Sequence, residues 1–138
     1  MRYLIDTNIL LYTLFEKDEL SKDVSRIIGD YETSLHVSSE SIKELIHLFH
    51  IGKIRTQKWK QARDVFRMIE QDLNVSINYV KKEHLLAMAR LEPAAKHNDP
   101  TDHLIIAQAI TEKVPLISSD RKFEAYRGQG LDFIYNKR

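Results

Sequence analysis

Short apolar segments alternate along the chain with longer stretches in which apolar residues recur at three- and four-residue steps. The short segments predict strands, and the longer stretches predict amphipathic helices. The predicted strands cover residues 2–6, 35–37, 74–77, 114–118 and 131–134. The predicted helices cover residues 7–15, 20–28, 39–52, 56–72, 82–91 and 101–111, followed by a helical turn at 122–126.

This alternation predicts the fold class. Strands separated by helices form βαβ units, which build a mainly parallel sheet with helices on both of its faces. We therefore expect an α/β domain with three layers, α/β/α, around a sheet of four to five short strands. No linker, repeat or low-complexity tract interrupts the pattern, and 138 residues suit a single domain, so we assign residues 1–138 to one domain.

Composition narrows the function classes only slightly. The 21 Lys and Arg residues balance 20 Asp and Glu residues, so the net charge of +1 gives no overall attraction to nucleic acid. The absence of cysteine excludes thiolate zinc sites, catalytic thiols and disulfides. The chain has neither a basic leader nor a long apolar run, so we expect a cytoplasmic protein without a membrane partner.

Four aspartates follow strands or open a helix. Asp6 and Asp120 follow predicted strands, while Asp99 and Asp102 open a helix whose first residue is Pro100. Because Asp is a preferred N-cap residue, each of them alone is explained by helix capping. The carboxyl ends of parallel strands meet at one edge, however, and this edge is where α/β proteins bind ligands. The sequence therefore predicts that at least two of the acids meet there.

Glu44 receives no support from periodicity. Its neighbours Ile42, Leu45 and Phe49 define the apolar face of their helix, and a 100° step per residue puts Glu44 almost opposite that face. The pattern alone therefore predicts a solvated glutamate.

A group of carboxylates suggests a divalent cation. Clustered acids repel one another unless a cation neutralises them, and oxygen ligands without cysteine suit Mg²⁺ or Mn²⁺. Because Mg²⁺ is commonly completed by phosphate oxygens, the expected substrate is a phosphate ester.

Five sequence segments together resemble the PIN-domain family, and within it the VapC-type toxins of prokaryotic toxin–antitoxin pairs. They are Leu4-Ile-Asp-Thr-Asn-Ile9, Val37-Ser-Ser39, Lys43-Glu-Leu45 with Ile51-Gly-Lys53 following, His97–Ala109 and Leu116–Phe123. The resemblance implies a three-layer PIN-like fold, endoribonuclease activity and a metal site formed by Asp6, Glu44, Asp102 and Asp120. It makes Asp99 an auxiliary neighbour, so that Asp99 is either a further ligand or only a cap.

The resemblance also implies supporting residues and partners. Asn8 and Ser118 fall on polar positions expected to orient carboxylates or water. The expected partners are an RNA substrate, a cognate antitoxin and a second copy of the chain. DNA would be bound only through the antitoxin, since the chain shows no DNA-binding motif. Departures from the family pattern at Thr101, His103 and Ser118 remove no acid.

The expected mechanism is hydrolysis of RNA phosphodiesters by water activated at one or two Mg²⁺ or Mn²⁺ ions. A basic stretch could track the RNA backbone, or it could be the solvated face of a helix. Its cations are Lys53, Arg55, Lys58, Lys60, Arg63 and Arg67. Trp59 is expected in the core, and His97 and His103 are interpreted either as substrate contacts or as surface residues.

Three alternatives remain open at this point. The first is a PIN nuclease of RNA maturation without an antitoxin. The second is a non-enzymatic receiver-like signalling domain, although the sequence lacks the adjacent acidic pair expected after its first strand. The third is an inactive RNA-binding module, whose RNA affinity would not depend on the acids.

Overall fold

The computed structural model describes residues 1–138 as alternating strands and helices. The strands are β1 (Arg2–Ile5), β2 (Ser34–Ser38), β3 (Ser76–Asn78), β4 (Leu116–Ser118) and β5 (Phe133–Tyr135). The helices are α1 (Thr7–Phe15), α2 (Lys22–Gly29), α3 (Ser39–His50), α4 (Asp64–Arg67), α5 (Lys82–Arg90) and α6 (Pro100–Glu112). Two 3-10 helices, Lys17–Glu19 and Arg121–Gln129, and a π-helical turn, Met68–Asp72, complete the elements.

The five strands form one sheet in the order β3-β2-β1-β4-β5, and every neighbouring pair is parallel. The predicted α/β class and the strand number are therefore confirmed. All five strands end at the same edge of the sheet, and β1 lies at its centre between β2 and β4. The order of the strands reverses between β1 and β4, which is the usual position of a ligand crevice.

Side chains from the central strands alternate between two hydrophobic clusters. Ile5 and Ile117 pack with residues of α1, α2 and α3 on one face of the sheet. Leu4 and Leu116 pack with residues of α6 and the 3-10 helix Arg121–Gln129 on the other face. Successive strand residues point to opposite faces, so each pair of neighbours contributes to both cores. The sheet is thereby enclosed between two helical layers, as predicted.

The predicted helix over residues 56–72 is wrong for its first half. Residues 51–63 form turns and irregular structure, and the helix begins only at Asp64. The Asp64 carboxylate accepts hydrogen bonds from the N–H groups of Lys60 (2.8 Å) and Gln61 (3.1 Å), which stabilises a turn in place of a helix. Trp59 is buried in the core as expected and packs against Phe49.

Glu112 connects the C-terminal end of α6 to β1, β3 and α5. Its carboxylate accepts hydrogen bonds from Arg2 of β1 (3.0 Å) and Asn78 of β3 (2.6 Å), and it contacts Nε2 of the buried His84 of α5 (2.9 Å). Burial raises the pKa of Glu112, but these hydrogen bonds outweigh it and hold the pKa below its usual value. The network fixes the end of the helix whose first turn carries Asp102.

None of the helices is both long and apolar enough to cross a membrane.

Candidate active site

Asp6 occupies the junction between β1 and α1. Its side chain is buried, and its Oδ1 accepts a hydrogen bond from the N–H of Ile9 (2.9 Å), so it caps α1 as the sequence suggested. Its own N–H donates to the carbonyl of Ile117 in β4 (3.2 Å). Because both its backbone and its side chain are held, the carboxylate has a fixed position at the centre of the carboxyl edge.

Asp120 reaches the same edge from β4. Its Oδ1 caps the 3-10 helix by accepting from the N–H of Lys122 (2.9 Å), and its own N–H donates to the hydroxyl of Ser118 (3.0 Å). Ser118 is buried, and hydrogen bonding by its side chain favours the ionised form of Asp6. Ser118 therefore interacts with both aspartates, and its role in orienting them stays a prediction.

Asp99 and Asp102 differ in position and contacts, which addresses a choice between them that the sequence left open. Asp99 is exposed and caps α6 by accepting from the N–H of Thr101 (2.9 Å). Asp102, one helical turn further on, is partly buried, and its Oδ2 lies 3.1 Å from Nε2 of His97. The charges of Asp99 and Asp120 both act on Asp102. The structure thus directs Asp102 toward the other acids and leaves Asp99 at the margin.

Glu44 lies closer to the aspartates than periodicity predicted. It is partly buried, and its Oε1 is 3.5 Å from the hydroxyl of Thr7, the first residue of α1. The expectation of a solvated glutamate is wrong because α3 contacts α1 and α6 as well as the sheet. The exposed side of α3 carries Lys43, His47 and His50, whereas Glu44 lies beside the second contact, which sequence periodicity cannot reveal.

The pKa values show that the acids influence one another. Burial raises the pKa of Asp6 to about 7, an effect that hydrogen bonding from Ser118 and Ile9 opposes and the charges of Asp102 and Asp120 reinforce. Burial also raises the pKa of Asp102, to which the charges of Asp99 and Asp120 add. The pKa of Glu44 is raised by burial and by the charges of Asp99 and Asp102. All five acids therefore belong to one electrostatic cluster.

Sequence reasoning missed several polar residues beside this cluster. The Thr7 hydroxyl donates to the hydroxyl of Ser41 (2.8 Å), and both side chains are buried. Ser41 and Glu44 are three residues apart and hence on one side of α3, a signal available in the sequence. His97 and His103 are buried at 2% and 8% exposure, so their interpretation as surface residues is wrong.

Neither Asn8 nor the predicted substrate-binding cations form a hydrogen bond or an ion pair with the clustered carboxylates. Asn8 is exposed, and its side chain makes no hydrogen bond to any acid. The six cations of the basic stretch are all exposed. Lys53 and Arg55 line a cavity of about 340 Å³ together with Phe15 and Glu16, at the end of α1 opposite to Asp6. With a rise of 1.5 Å per residue, α1 spans about 12 Å between these two ends.

The donor atoms of the acidic cluster fit a divalent cation. One ligand atom each from His97, Asp102 and Asp120 lie within 4.8 Å of one another, and the charge of Asp6 acts on the same group. Buried carboxylates that raise one another's pKa are stabilised by a cation, and hard oxygen donors suit Mg²⁺ or Mn²⁺. Fold and site together define a three-layer α/β protein that gathers carboxylates at the centre of the carboxyl edge of its sheet.

Comparison with known proteins places the chain in a family. The model of the PIN domain family matches residues 3–129. The chain therefore belongs to the PIN domain family, as its motifs implied. No curated protein sequence matches it.

Solved structures share the fold across nearly the whole chain. A chain of VapBC-1 from nontypeable Haemophilus influenzae superposes with a TM-score of 0.69 at 21% identity and covers 98% of both chains. A chain of VapBC2 from Rickettsia felis bound to a promoter DNA fragment gives 0.67 at 18% identity, covering 99% of this chain and 100% of its own. VapBC-5 from Mycobacterium tuberculosis, a member of the VapBC family of toxin-antitoxin systems, gives 0.62 at 15%, covering 97% and 98% respectively.

Proposed function

We propose that this protein is an Mg²⁺- or Mn²⁺-dependent endoribonuclease and that it acts as the toxin of a toxin–antitoxin pair. The observation that carries the proposal is the meeting of Asp102 and Asp120, which have ligand atoms within 4.8 Å of each other, beside the buried Asp6, whose pKa their charges raise. Capping explains the position of Asp6 and Asp120 individually, but it does not explain why three partly desolvated acids share one site.

Asp6, Asp102 and Asp120 would hold the cation, with Glu44 from α3 as the fourth carboxylate. When bound, the cation supplies Lewis-acid activation of water and offsets negative charge on the phosphodiester. The hydrogen bond from the N–H of Ile9 fixes Asp6, and the link through Ser118 fixes Asp120 relative to it. Thr7 contacts Glu44 and thereby joins α1 to α3. No side chain of the cluster needs to act as a nucleophile.

The RNA would leave this acidic centre along α1 toward the basic stretch. Lys53 and Arg55 lie at the far end of α1, and Lys58, Lys60 and Arg63 are exposed in the turns that follow. Cations at this distance do not neutralise the carboxylates. They would bind phosphates upstream or downstream of the cleaved bond and so hold a substrate of several nucleotides.

The nuclease proposal is tested by incubating purified protein with mixed RNA in Mg²⁺, in Mn²⁺ and in EDTA. We expect cleavage with either cation and none in EDTA. Asp6→Asn and Asp120→Asn should each lower the rate by at least about 100-fold, because a ligand of the reacting centre is lost. Asp23→Asn, on the exposed surface of α2, is the matched control and should cleave normally. Cleavage that persists in EDTA, or in both active-site variants, would contradict the proposal.

The toxin role rests on the resemblance to VapC proteins and on the structural similarity to VapBC complexes. Induced expression in a bacterium should arrest growth, and Asp6→Asn should abolish the arrest. Co-expression of a short open reading frame adjacent to the gene should restore growth and yield a complex with this protein. RNA cleavage without growth arrest, and without such a reading frame, would favour the alternative of a nuclease in RNA processing.

The toxin proposal includes two further interactions, one with DNA and one with a second copy of the chain. The protein would contact DNA only through its antitoxin. We also propose that it forms a homodimer.

A further inference from the structure

His97 is a buried histidine whose two ring nitrogens both have partners. The side chain is only 2% exposed. Its Nδ1 lies 2.6 Å from the hydroxyl of Tyr126, and its Nε2 lies 3.1 Å from Oδ2 of Asp102. The three residues therefore form a continuous hydrogen-bonded chain from the hydrophobic core to the acidic cluster.

The partners of Tyr126 and the carboxylate of Asp102 together favour one direction for these hydrogen bonds. The N–H of Ala94 donates to the Tyr126 hydroxyl oxygen (3.0 Å), which leaves the O–H of Tyr126 free to donate to Nδ1 of His97. An imidazole that accepts at Nδ1 carries its proton on Nε2, and an ionised carboxylate can only accept. His97 then donates from Nε2 to Asp102. The opposite tautomer would place the lone pair of Nε2 against a carboxylate oxygen.

Packing holds the imidazole in this orientation. The ring of His103 meets the ring of His97 edge-on at 4.9 Å, and the rings of Phe123 and Tyr126 lie at 5.7 Å and 5.4 Å. The Nε2 of His103 also lies 2.8 Å from the carbonyl oxygen of His97. Rotation of the imidazole would require its aromatic neighbours to move, so the donor at Nε2 has a fixed direction.

We propose that His97 and Tyr126 are positioning residues that set the tautomer and the orientation needed to hold Asp102 in its cation-binding geometry. The inference rests on the proposed cation site. His97 itself is not a ligand, although its Nε2 is close to Asp102 and Asp120, because both nitrogens are already engaged in hydrogen bonds. The hydrogen bond occupies one lone pair of Oδ2 and leaves Oδ1 of Asp102 available to a cation. Carboxylate ligands in metal sites are commonly oriented by such outer partners.

The test measures Mn²⁺ affinity of the purified protein by isothermal titration, together with folding by circular dichroism. His97→Phe keeps an aromatic ring but lacks the donor, and we expect Mn²⁺ to bind about 10–100-fold more weakly. His97→Gln retains an N–H donor near the position of Nε2 and should recover part of the affinity. His47→Phe, at an exposed position on α3, is the control and should bind like the wild type.

Tyr126→Phe keeps the ring and removes only the hydroxyl, so it tests the inference even if His97→Phe does not fold. We expect a several-fold loss of Mn²⁺ affinity, because Nδ1 of His97 then lacks its donor and the imidazole is held less firmly against Asp102. Mn²⁺ affinities within twofold of the wild type for every variant that folds would overturn the positioning role.

Electron spin-echo spectroscopy of the Mn²⁺-loaded wild type separates positioning from direct ligation. We expect no coupling to a directly bound nitrogen, and such a coupling would overturn the inference by making His97 a ligand. Failure of the wild type to bind either Mn²⁺ or Mg²⁺ would instead overturn the proposed cation site, and this inference with it. Normal binding by the wild type and by the folded variants would overturn the positioning role alone.

Discussion

Asp6 shows at the scale of a single residue how a carboxylate of the proposed cation site lowers stability. The carboxylate is buried beside Asp102 and Asp120, and its pKa is raised to about 7. In the absence of a cation, the native state therefore retains a proton that the unfolded chain releases near pH 4. Since Asp6 holds this proton more tightly in the native state, its contribution to the free energy of unfolding falls as the pH rises from about 4 to about 7. Above about pH 7 the carboxylate is ionised in both states, and the full cost of burying its charge remains.

Asp6→Asn should consequently stabilise the cation-free protein while it removes activity. The amide is neutral, and its oxygen can still accept from the N–H of Ile9. In EDTA at pH 8 we expect a melting temperature at least about 5 °C above that of the wild type, and a smaller gain at pH 5. Calorimetric or fluorescence melts measure both values.

Two controls accompany these melts. Asp23→Asn changes an exposed aspartate on α2 and should leave the melting temperature unchanged. Adding Mn²⁺ at pH 8 should stabilise the wild type more than Asp6→Asn, because the cation offsets the repulsion that the variant already lacks. A variant no more stable than the wild type in EDTA at pH 8 would show that Asp6 carries no such penalty.

At the scale of elements, the segment between α3 and α4 departs most from its pattern. The apolar spacing of Trp59, Ala62 and Phe66 predicted a helix, but the Asp64 carboxylate stabilises a turn by binding two preceding N–H groups. Gly52, with φ of +76°, ends α3 in a left-handed conformation that glycine adopts without strain. The cations of this segment therefore project from turns instead of forming one stripe along a helix.

The basic segment should contribute to RNA affinity and not to the chemical step. In the variant Lys58→Gln, Lys60→Gln, Arg63→Gln we expect KM to rise by roughly 3–10-fold with kcat nearly unchanged, because contacts to distant phosphates are equal in the ground and transition states. The salt dependence of RNA binding should also become shallower, since fewer phosphates are neutralised. Steady-state kinetics at several salt concentrations measure both effects.

Lys22→Gln removes one exposed charge on α2 and is therefore the control for a single Lys→Gln substitution of the triple variant. It should leave KM and the salt dependence unaltered. If the triple variant behaves in the same way, the basic segment is a solvated surface, which was the other interpretation of its sequence.

At the scale of the whole molecule, large apolar side chains lie exposed on α5 and just before it. Tyr79, Leu85 and Leu86 have exposed fractions of 55%, 52% and 47%. Burying these apolar side chains against a partner surface removes them from water and so favours association. It is a surface on which the proposed second copy could pack.

Light scattering after gel filtration should give the mass of a dimer at micromolar concentrations. The double variant Leu85→Glu, Leu86→Glu should give a monomer, because dimerisation would bury the two new charges without partners. Tyr31→Glu, at a position 93% exposed and far along the chain from α5, should remain dimeric. A monomeric wild type at tens of micromolar would contradict the homodimer.

The sequence by itself determined the succession of elements and the class of fold. Strand and helix periods are local properties, and alternating strands and helices permit few arrangements other than a parallel sheet covered on both faces. The positions of Asp6 and Asp120 followed as well, because any residue that directly follows a parallel strand lies at the carboxyl edge. The predicted helix start indicated Asp99 and Asp102 together, motif resemblance chose Asp102 between them, and Glu44 came from resemblance alone.

Only the tertiary structure decided which residues meet across elements. Glu44 approaches the aspartates because α3 packs beside α1 and α6, and His97 reaches Asp102 because the loop before α6 folds onto Tyr126. The irregular segment before α4 arises in the same way, from a burial site for Trp59 and a side-chain acceptor at Asp64. Such contacts depend on how separate elements pack or on one side chain binding the backbone, so their free energy leaves no periodic signal in the sequence.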